Sequence, residues 1–229
     1  MNKQPDRIKA VIFDMDGLIF DTERISIPAW QKAGRKHGYE ITTPHIIQTI
    51  GFDLKGTEEV LKHHYGEDFP FAQIRALKIE YIKEGFINDA PPLKKGVCEL
   101  LSWLSNREIP IALGTSSERK RVLEYLQSAG ILCFFQTVVC GDEVTHGKPA
   151  PDIFLEAAKK LGIPANNCLV LEDSENGIRA AQTAGMMPIL VPDIREVPTE
   201  VQALAKKVFS SLTEVIDFLG NILNLETVQ

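Results

Sequence analysis

Residues Lys9–Glu23 read KAVIFDMDGLIFDTE. The run Ala10–Phe13 is apolar, rich in β-formers and too short for a helix, so it reads as a buried strand. Asp14 ends the run, Asp16 follows two residues later, and Asp21 comes near the end of the stretch, with Gly17 beside the acids. Acids placed directly behind a buried strand stand at its carboxyl end, where open parallel α/β sheets bind their ligands. Gly17 lets the backbone turn sharply at that point.

Working outward, similar short apolar runs recur as IPIALG (109–114), TVVC (137–140), CLVLE (168–172) and PILV (188–191). Helical patterns lie between the later ones. One starts after Ser117, read as an N-cap, and stops at Gly130; DIFLEAAKKLG stops at Gly162; SENGIRAAQTAG opens at Ser174 and stops at Gly185. Thr199 with Gln202, and Ser211 with Glu214, have the spacing of capping boxes. Strands alternating with helices predict a parallel sheet covered on both faces. From about Thr22 to Pro92 the alternation stops, and ISIPAWQKAGRKHG, GTEEVLKHHYG and FAQIRALKIEYIKEG all read as helices. The expected organisation is an α/β core formed by 1–21 and 93–229, with an all-helical insert at 22–92. Its linkers fall near Asp21–Thr22 and Asn88–Pro92.

The chain has 229 residues, a net charge of -6 and 44% hydrophobic residues, enough for one large or two unequal units. The acidic balance, with no basic patch, argues against nucleic acid as a partner. No apolar run is long enough to span a bilayer, which argues against a membrane partner. Cys98, Cys133, Cys140 and Cys168 lack CxxC spacing and read as buried free thiols. With a polar N-terminus that does not resemble a signal peptide, they predict a cytoplasmic location. His63–His64 reads as a solvated helix face rather than a metal site, because adjacent helical residues diverge. GDEVTHGKP is not a nucleotide phosphate loop: it has five residues between Gly141 and Gly147, and Pro149 where a hydroxyl is needed.

The strand ends carry the chemistry. Asp14 and Asp16 follow the first, and Thr115, Ser116 and Ser117 the second. Lys148 lies in the loop beyond the third, and Glu172 and Asp173 stand at the fourth. Carboxylates suit Mg²⁺, a hard cation that takes oxygen ligands and bridges to phosphates. Hydroxyls and an ammonium suit phosphate oxygens. A carboxylate such as Asp14 is a usable nucleophile toward phosphorus once the phosphoryl charge is neutralised, and Asp16 is placed to pass a proton to the leaving oxygen and later take one from water.

These segments also resemble a known family. DMDGLIFDT is similar to the first motif, DxDGxxxDT, of the haloacid dehalogenase superfamily. LGTSS is similar to the second, GKPAPDIF to the third and LEDSENGIRAAQTAG to the fourth, in order along nearly the whole chain. The insert matches the helical cap of the beta-phosphoglucomutase-like subgroup. The resemblance implies a Rossmann-like parallel core with an inserted cap, and a Mg²⁺-dependent phosphatase acting on a small phosphorylated metabolite through an aspartyl-phosphate. It implies Asp14 as nucleophile, Asp16 as acid/base, and Thr115, Ser116 and Lys148 as phosphate ligands. The metal set it implies is Asp14, the backbone carbonyl of Asp16, and Asp173, with Glu172 in or near the shell. Asp16 speaks against the family's dehalogenases, which lack that aspartate.

A sugar phosphomutase is the nearest alternative. In the mutases this chain resembles, the helix after the first motif carries a histidine and a cap loop an arginine that grips a distal phosphate. Those positions fall on Ser26 and on Asp53–Leu54, with Lys55 as partial compensation, which favours release of phosphate to water. A signalling receiver module also gathers acids, hydroxyls and lysine, but its phosphoacceptor lies at a later strand and it has no such insert. A monomer or weak homo-oligomer is expected.

Overall fold

The computed structural model describes residues 8–50, 52, 54–86 and 89–224. Its centre is a six-stranded sheet of β1 (Ala10–Phe13), β2 (Ile111–Gly114), β3 (Thr137–Val139), β4 (Cys168–Glu172), β5 (Met187–Leu190) and β6 (Lys207–Val208), in the order β3-β2-β1-β4-β5-β6. Every neighbouring pair is parallel, and Phe13 of β1 lies in register with Leu113 on one side and Leu171 on the other. The order reverses at β1, so a crevice opens at its carboxyl end.

Alternation along β1 explains why all four of its residues are buried. Val11 and Phe13 enter one apolar cluster, with residues of α5 (Val97–Ser105), α6 (Arg119–Ser128) and α10 (Leu212–Asn224). Ala10 and Ile12 enter the other, with α7 (Asp152–Leu161) and α8 (Glu175–Thr183). Both faces of the sheet are therefore covered, as the continuous apolar strand runs require. Phe13 is fully buried and meets Phe135 edge-on, 6.2 Å between ring centres. Truncating such a ring to Ala typically costs about 3–5 kcal/mol.

The stretch between β1 and α5 is helical: α1 (Thr22–Lys36), α2 (Thr43–Ile47), α3 (Leu54–Tyr65) and α4 (Phe71–Ile82). These helices enclose a separate apolar cluster that includes Trp30, Ile46, Leu61, Phe71 and Ile74, with Trp30 stacked on Phe71. The chain leaves and re-enters the sheet side by side. Asp21 N–H donates to Pro92 O at 2.8 Å, Lys94 N–H to Ile19 O at 2.8 Å, and Phe20 bridges to Leu93. Asn88, at the start of the second expected linker, lies outside the described residues.

Several local expectations change. The five apolar runs are strands, but the exposed two-residue β6 and the five-residue α2 carry too little pattern to be read in advance. Ser174 does cap α8, accepting from Gly177 N–H at 3.1 Å. Ser117 does not cap α6, whose N-cap is Glu118, because its hydroxyl is used elsewhere. Thr199 lies inside the short helix α9 (Thr199–Gln202), and Gln202 Nε2 donates to Val197 O instead of closing a capping box. Glu214 bonds with Ser210, one residue before Ser211. All four cysteines are free, but only Cys140 and Cys168 are buried; Cys98 and Cys133 are exposed.

Candidate active site

Backbone bonds fix the strand ends before any side chain acts. Asp14 N–H donates to Leu171 O at 3.0 Å and Thr115 N–H to Val139 O at 3.0 Å, so each candidate residue continues its strand's ladder by one step. Asp14, Thr115, Glu172 and Asp173 are all buried. They share a cavity of about 240 Å³ with Asp16, Ser116, Ser117 and Lys148, roofed by residues of the helical insert.

Lys148 organises the floor. Its Nζ donates to Asp14 Oδ1 at 2.5 Å and to Glu172 Oε1 at 2.6 Å, with the Phe154 ring 4.7 Å away. Burial opposes its charge, yet Asp14 and Glu172 together hold the ammonium above its ordinary value. The other oxygen of Glu172 accepts Ser174 N–H at 2.8 Å and Ser174 Oγ–H at 2.9 Å. Both oxygens of Glu172 are thus engaged. The Asp173 carboxylate faces the cavity and accepts no hydrogen bond among the described residues.

Asp14, Glu172 and Asp173 each place one carboxylate oxygen within 4.8 Å of the others. Burial pushes the Asp14 carboxyl from 3.8 up to about 8, with Glu172 and Asp16 adding to this against the pull of Lys148. Burial, then Glu172 and Asp14, raise Asp173 well above the usual carboxylate range. Three buried carboxylates facing a single ammonium could hold a cation, and an all-oxygen donor set suits a hard divalent ion. The backbone is shaped to this crowding. A Cβ on Gly17, whose φ is +82, would stand 2.2 Å from Asp173 Oδ2, and one on Gly177 would stand 1.8 Å from the Glu172 carboxyl.

Asp16 lies apart from this cluster. Its Oδ2 accepts Ser117 Oγ–H at 2.5 Å and an Arg121 N–H at 2.9 Å. Thr115 Oγ1 accepts Ser117 N–H at 3.2 Å. Ser116 lines the same cavity, and its backbone lies so close to Gly141 that a Cβ there would stand 2.3 Å from Ser116 O.

Sequence reading missed the cavity's second charged group, Glu23, Arg75, Lys78 and Arg121. Burial, then Asp16, pushes Glu23 up to about 7, and burial, then Arg121, pushes Lys78 down to about 8. Arg75 lies 3.7 Å from Glu118. None of these sits in a motif; Glu23 and Lys78 line one cavity only because α1 packs on α4. Ser26 is buried in α1 and lines the cavity. Asp53 lies outside the described residues. Lys55 is exposed and points toward Glu59, 3.8 Å away, so it offers no compensation within the cavity. His64 stacks on His45 at 3.9 Å, and neither joins a cluster of metal-ligand geometry among the described residues.

A parallel α/β sheet with acids, hydroxyls and one buried lysine converging on the end of β1 defines a class of enzyme-like folds, and comparison with known proteins narrows it. Residues 11–191 match the sequence model of the haloacid dehalogenase-like hydrolases, and the chain belongs to that family. It is 34% identical to a probable pseudouridine-5'-phosphatase of Drosophila melanogaster, over 93% of this chain and 94% of that one. It is also 34% identical to the fructose-1-phosphate phosphatase YqaB of Escherichia coli K12, over 79% and 95%. Its fold superposes on the crystal structure of a beta-phosphoglucomutase from Clostridium difficile with a TM-score of 0.78 at 25% identity, covering 97% of this chain and 100% of that one.

Proposed function

We propose that this chain is a Mg²⁺-dependent phosphatase that hydrolyses a small phosphomonoester, a sugar phosphate or similar metabolite, through a phosphoaspartate at Asp14. The observation that carries the reading is the position of Asp14: buried at the end of β1, on Lys148, within reach of Glu172 and Asp173, in one cavity with Asp16, Thr115 and Ser116. The phosphatase names of two relatives support it.

Asp14, the backbone carbonyl of Asp16, and Asp173 would hold the Mg²⁺, with Glu172 tied to Lys148 and Ser174 just outside. When bound, the ion supplies positive charge against the phosphoryl oxygens. Asp14 attacks phosphorus in line with the leaving oxygen, Lys148 moves from carboxylate to phosphoryl oxygen, and Thr115 and Ser116 hold the remaining oxygens. Asp16 delivers a proton to the leaving group and later takes one from the attacking water. Helices α1–α4 serve as the cap. They exclude solvent and select the substrate through Glu23, Lys78 and their neighbours. On the cap side Lys78 feels the charge of Glu23, and Arg75 lies 3.7 Å from Glu118 of the core, so both cations already have an acidic neighbour when a second phosphate would need them. With Ser26 in place of a titratable histidine, this favours hydrolysis over mutase chemistry.

No helix among the described residues is long and apolar enough to cross a membrane. Free, partly exposed thiols support a reducing compartment, and we place the enzyme in the cytoplasm as a monomer or weak homo-oligomer. The test is phosphate release from p-nitrophenyl phosphate and a panel of phosphorylated metabolites, with Mg²⁺ and with EDTA. Steady Mg²⁺-dependent turnover is expected; a single stoichiometric phosphorylation would point to a receiver instead. Beta-glucose 1-phosphate with a trace of glucose 1,6-bisphosphate separates the branches: rapid isomerisation with negligible phosphate release would make this a mutase.

A further inference from the structure

Arg121 stands on α6 one helical turn beyond Ser117. Its guanidinium donates to Asp16 Oδ2 at 2.9 Å and reaches Ser117 Oγ, while Ser117 Oγ–H donates to the same carboxylate oxygen at 2.5 Å. The Tyr125 ring lies 5.8 Å from the guanidinium, and Phe20 and Phe86 meet that ring edge-on at 5.8 Å and 5.3 Å. The Nε of Arg121 is buried and has no partner among the described residues, so the side chain is held by its terminal bonds and the Tyr125 ring. Asp16 Oδ1 accepts no hydrogen bond among the described residues. One oxygen of Asp16 is therefore fixed, and the other is left for the cavity. Arg121 and Ser117 both belong to the segment after β2, so the clamp is complete without any residue of helices α1–α4.

We propose that Arg121 is a positioning residue that keeps Asp16 turned for the attack of water on the phosphoenzyme, making water the default acceptor. This rests on the phosphoaspartate reading above. In the step concerned, water oxygen bonds to phosphorus as the bond between phosphorus and Asp14 breaks. The water proton passes to the free oxygen of Asp16, inorganic phosphate leaves, and Asp14 regains its carboxylate. Two donors on Oδ2 remove the rotation that would carry the free oxygen out of line, and such orientation is a large part of general-base efficiency. Because both donors on Oδ2 come from the core, the base keeps this orientation without a hydrogen bond from the insert. A sugar hydroxyl meets it only while bound.

Rapid-quench kinetics with p-nitrophenyl phosphate and Mg²⁺ test this on wild type, Arg121→Ala and Arg121→Lys. The p-nitrophenolate group leaves with little proton donation, so the first step reports weakly on Asp16. In Arg121→Ala, phosphoenzyme formation should stay within about twofold, while phosphoenzyme decay slows by about tenfold or more. The values of kcat and KM should then fall together with kcat/KM unchanged. Arg121→Lys, which keeps the charge but not the fork, should decay at an intermediate rate; it carries the comparison if Arg121→Ala does not fold. Unchanged decay, or formation and decay slowed by one common factor, would overturn the proposal. A rise in KM alone would do the same and assign Arg121 to substrate binding. A wild type that turns over without any phosphoenzyme would remove the phosphoaspartate reading itself, and this inference with it.

Discussion

Gly17 and Asp173 approach so closely that a methyl group on Gly17 would stand 2.2 Å from Asp173 Oδ2. Gly17 also has φ +82, a conformation that costs other L-residues about 1–2 kcal/mol. Gly17→Ala should therefore displace the one acid of the cluster that makes no hydrogen bond among the described residues. The expected result is a modest loss of thermal stability and a much larger rise in the Mg²⁺ concentration needed for half-maximal activity. An unchanged Mg²⁺ requirement would show that Asp173 is not a ligand.

Asp14→Asn keeps the shape of the side chain but removes its nucleophilicity and its charge. Turnover should fall by more than about a hundredfold, with the fold intact by circular dichroism. Asp16→Asn should slow an alkyl phosphate more than an aryl phosphate, since only the poorer leaving group depends strongly on proton donation. Equal slowing of phosphoenzyme formation on both substrates would remove the general-acid role.

Lys148 is buried between Asp14 and Glu172. Its removal leaves two buried carboxylates unpaired, a change that typically costs about 3–5 kcal/mol. Lys148→Ala should lower both stability and activity. Mg²⁺ should recover part of the stability and none of the phosphate-binding role. Urea titration with and without the ion measures the first, and kcat/KM the second.

The carboxyl of Asp14 is raised by burial from 3.8 to about 8 in the metal-free protein. A carboxyl raised on folding contributes stability that is complete below its unfolded value and is lost as pH climbs toward the folded one. The melting temperature in EDTA should fall between pH 5 and pH 8. Saturating Mg²⁺ should flatten that slope, because the ion replaces the proton as counter-charge, and apparent Mg²⁺ affinity should rise over the same interval. Asp14→Asn should reduce the slope without any metal and leave the part due to Asp173 and Glu23, whose carboxyls are also raised. A melting temperature that rises with pH in EDTA would contradict this account of the cluster.

What could be read in the sequence was what contiguous residues encode. Asp14, Thr115 and Glu172 each sit at or one step beyond a strand's last residue, so finding the strands also placed these residues at one end of the sheet. Ser174 follows a local capping rule and obeys it. Ser117 has the same local credentials, but Asp16, a hundred positions away in the chain, takes its hydroxyl. Glu23, Lys78 and Arg121 were illegible for the same reason. Each is an ordinary charged residue on a helix, and only the packing of α1, α4 and α6 around one cavity distinguishes it. The two strand residues of β6 have too few side chains to show a period.

The pairing of Asp21 N–H with Pro92 O makes the two ends of the insert neighbours in space. To the sheet, the residues between them amount to a hairpin loop of unusual length. A foreign helical segment whose ends lie equally close could be grafted at the same junction without altering the course of β1 or α5. Exchange at this seam would leave the strand-end acids and hydroxyls of the core in place and change only the wall that closes over them.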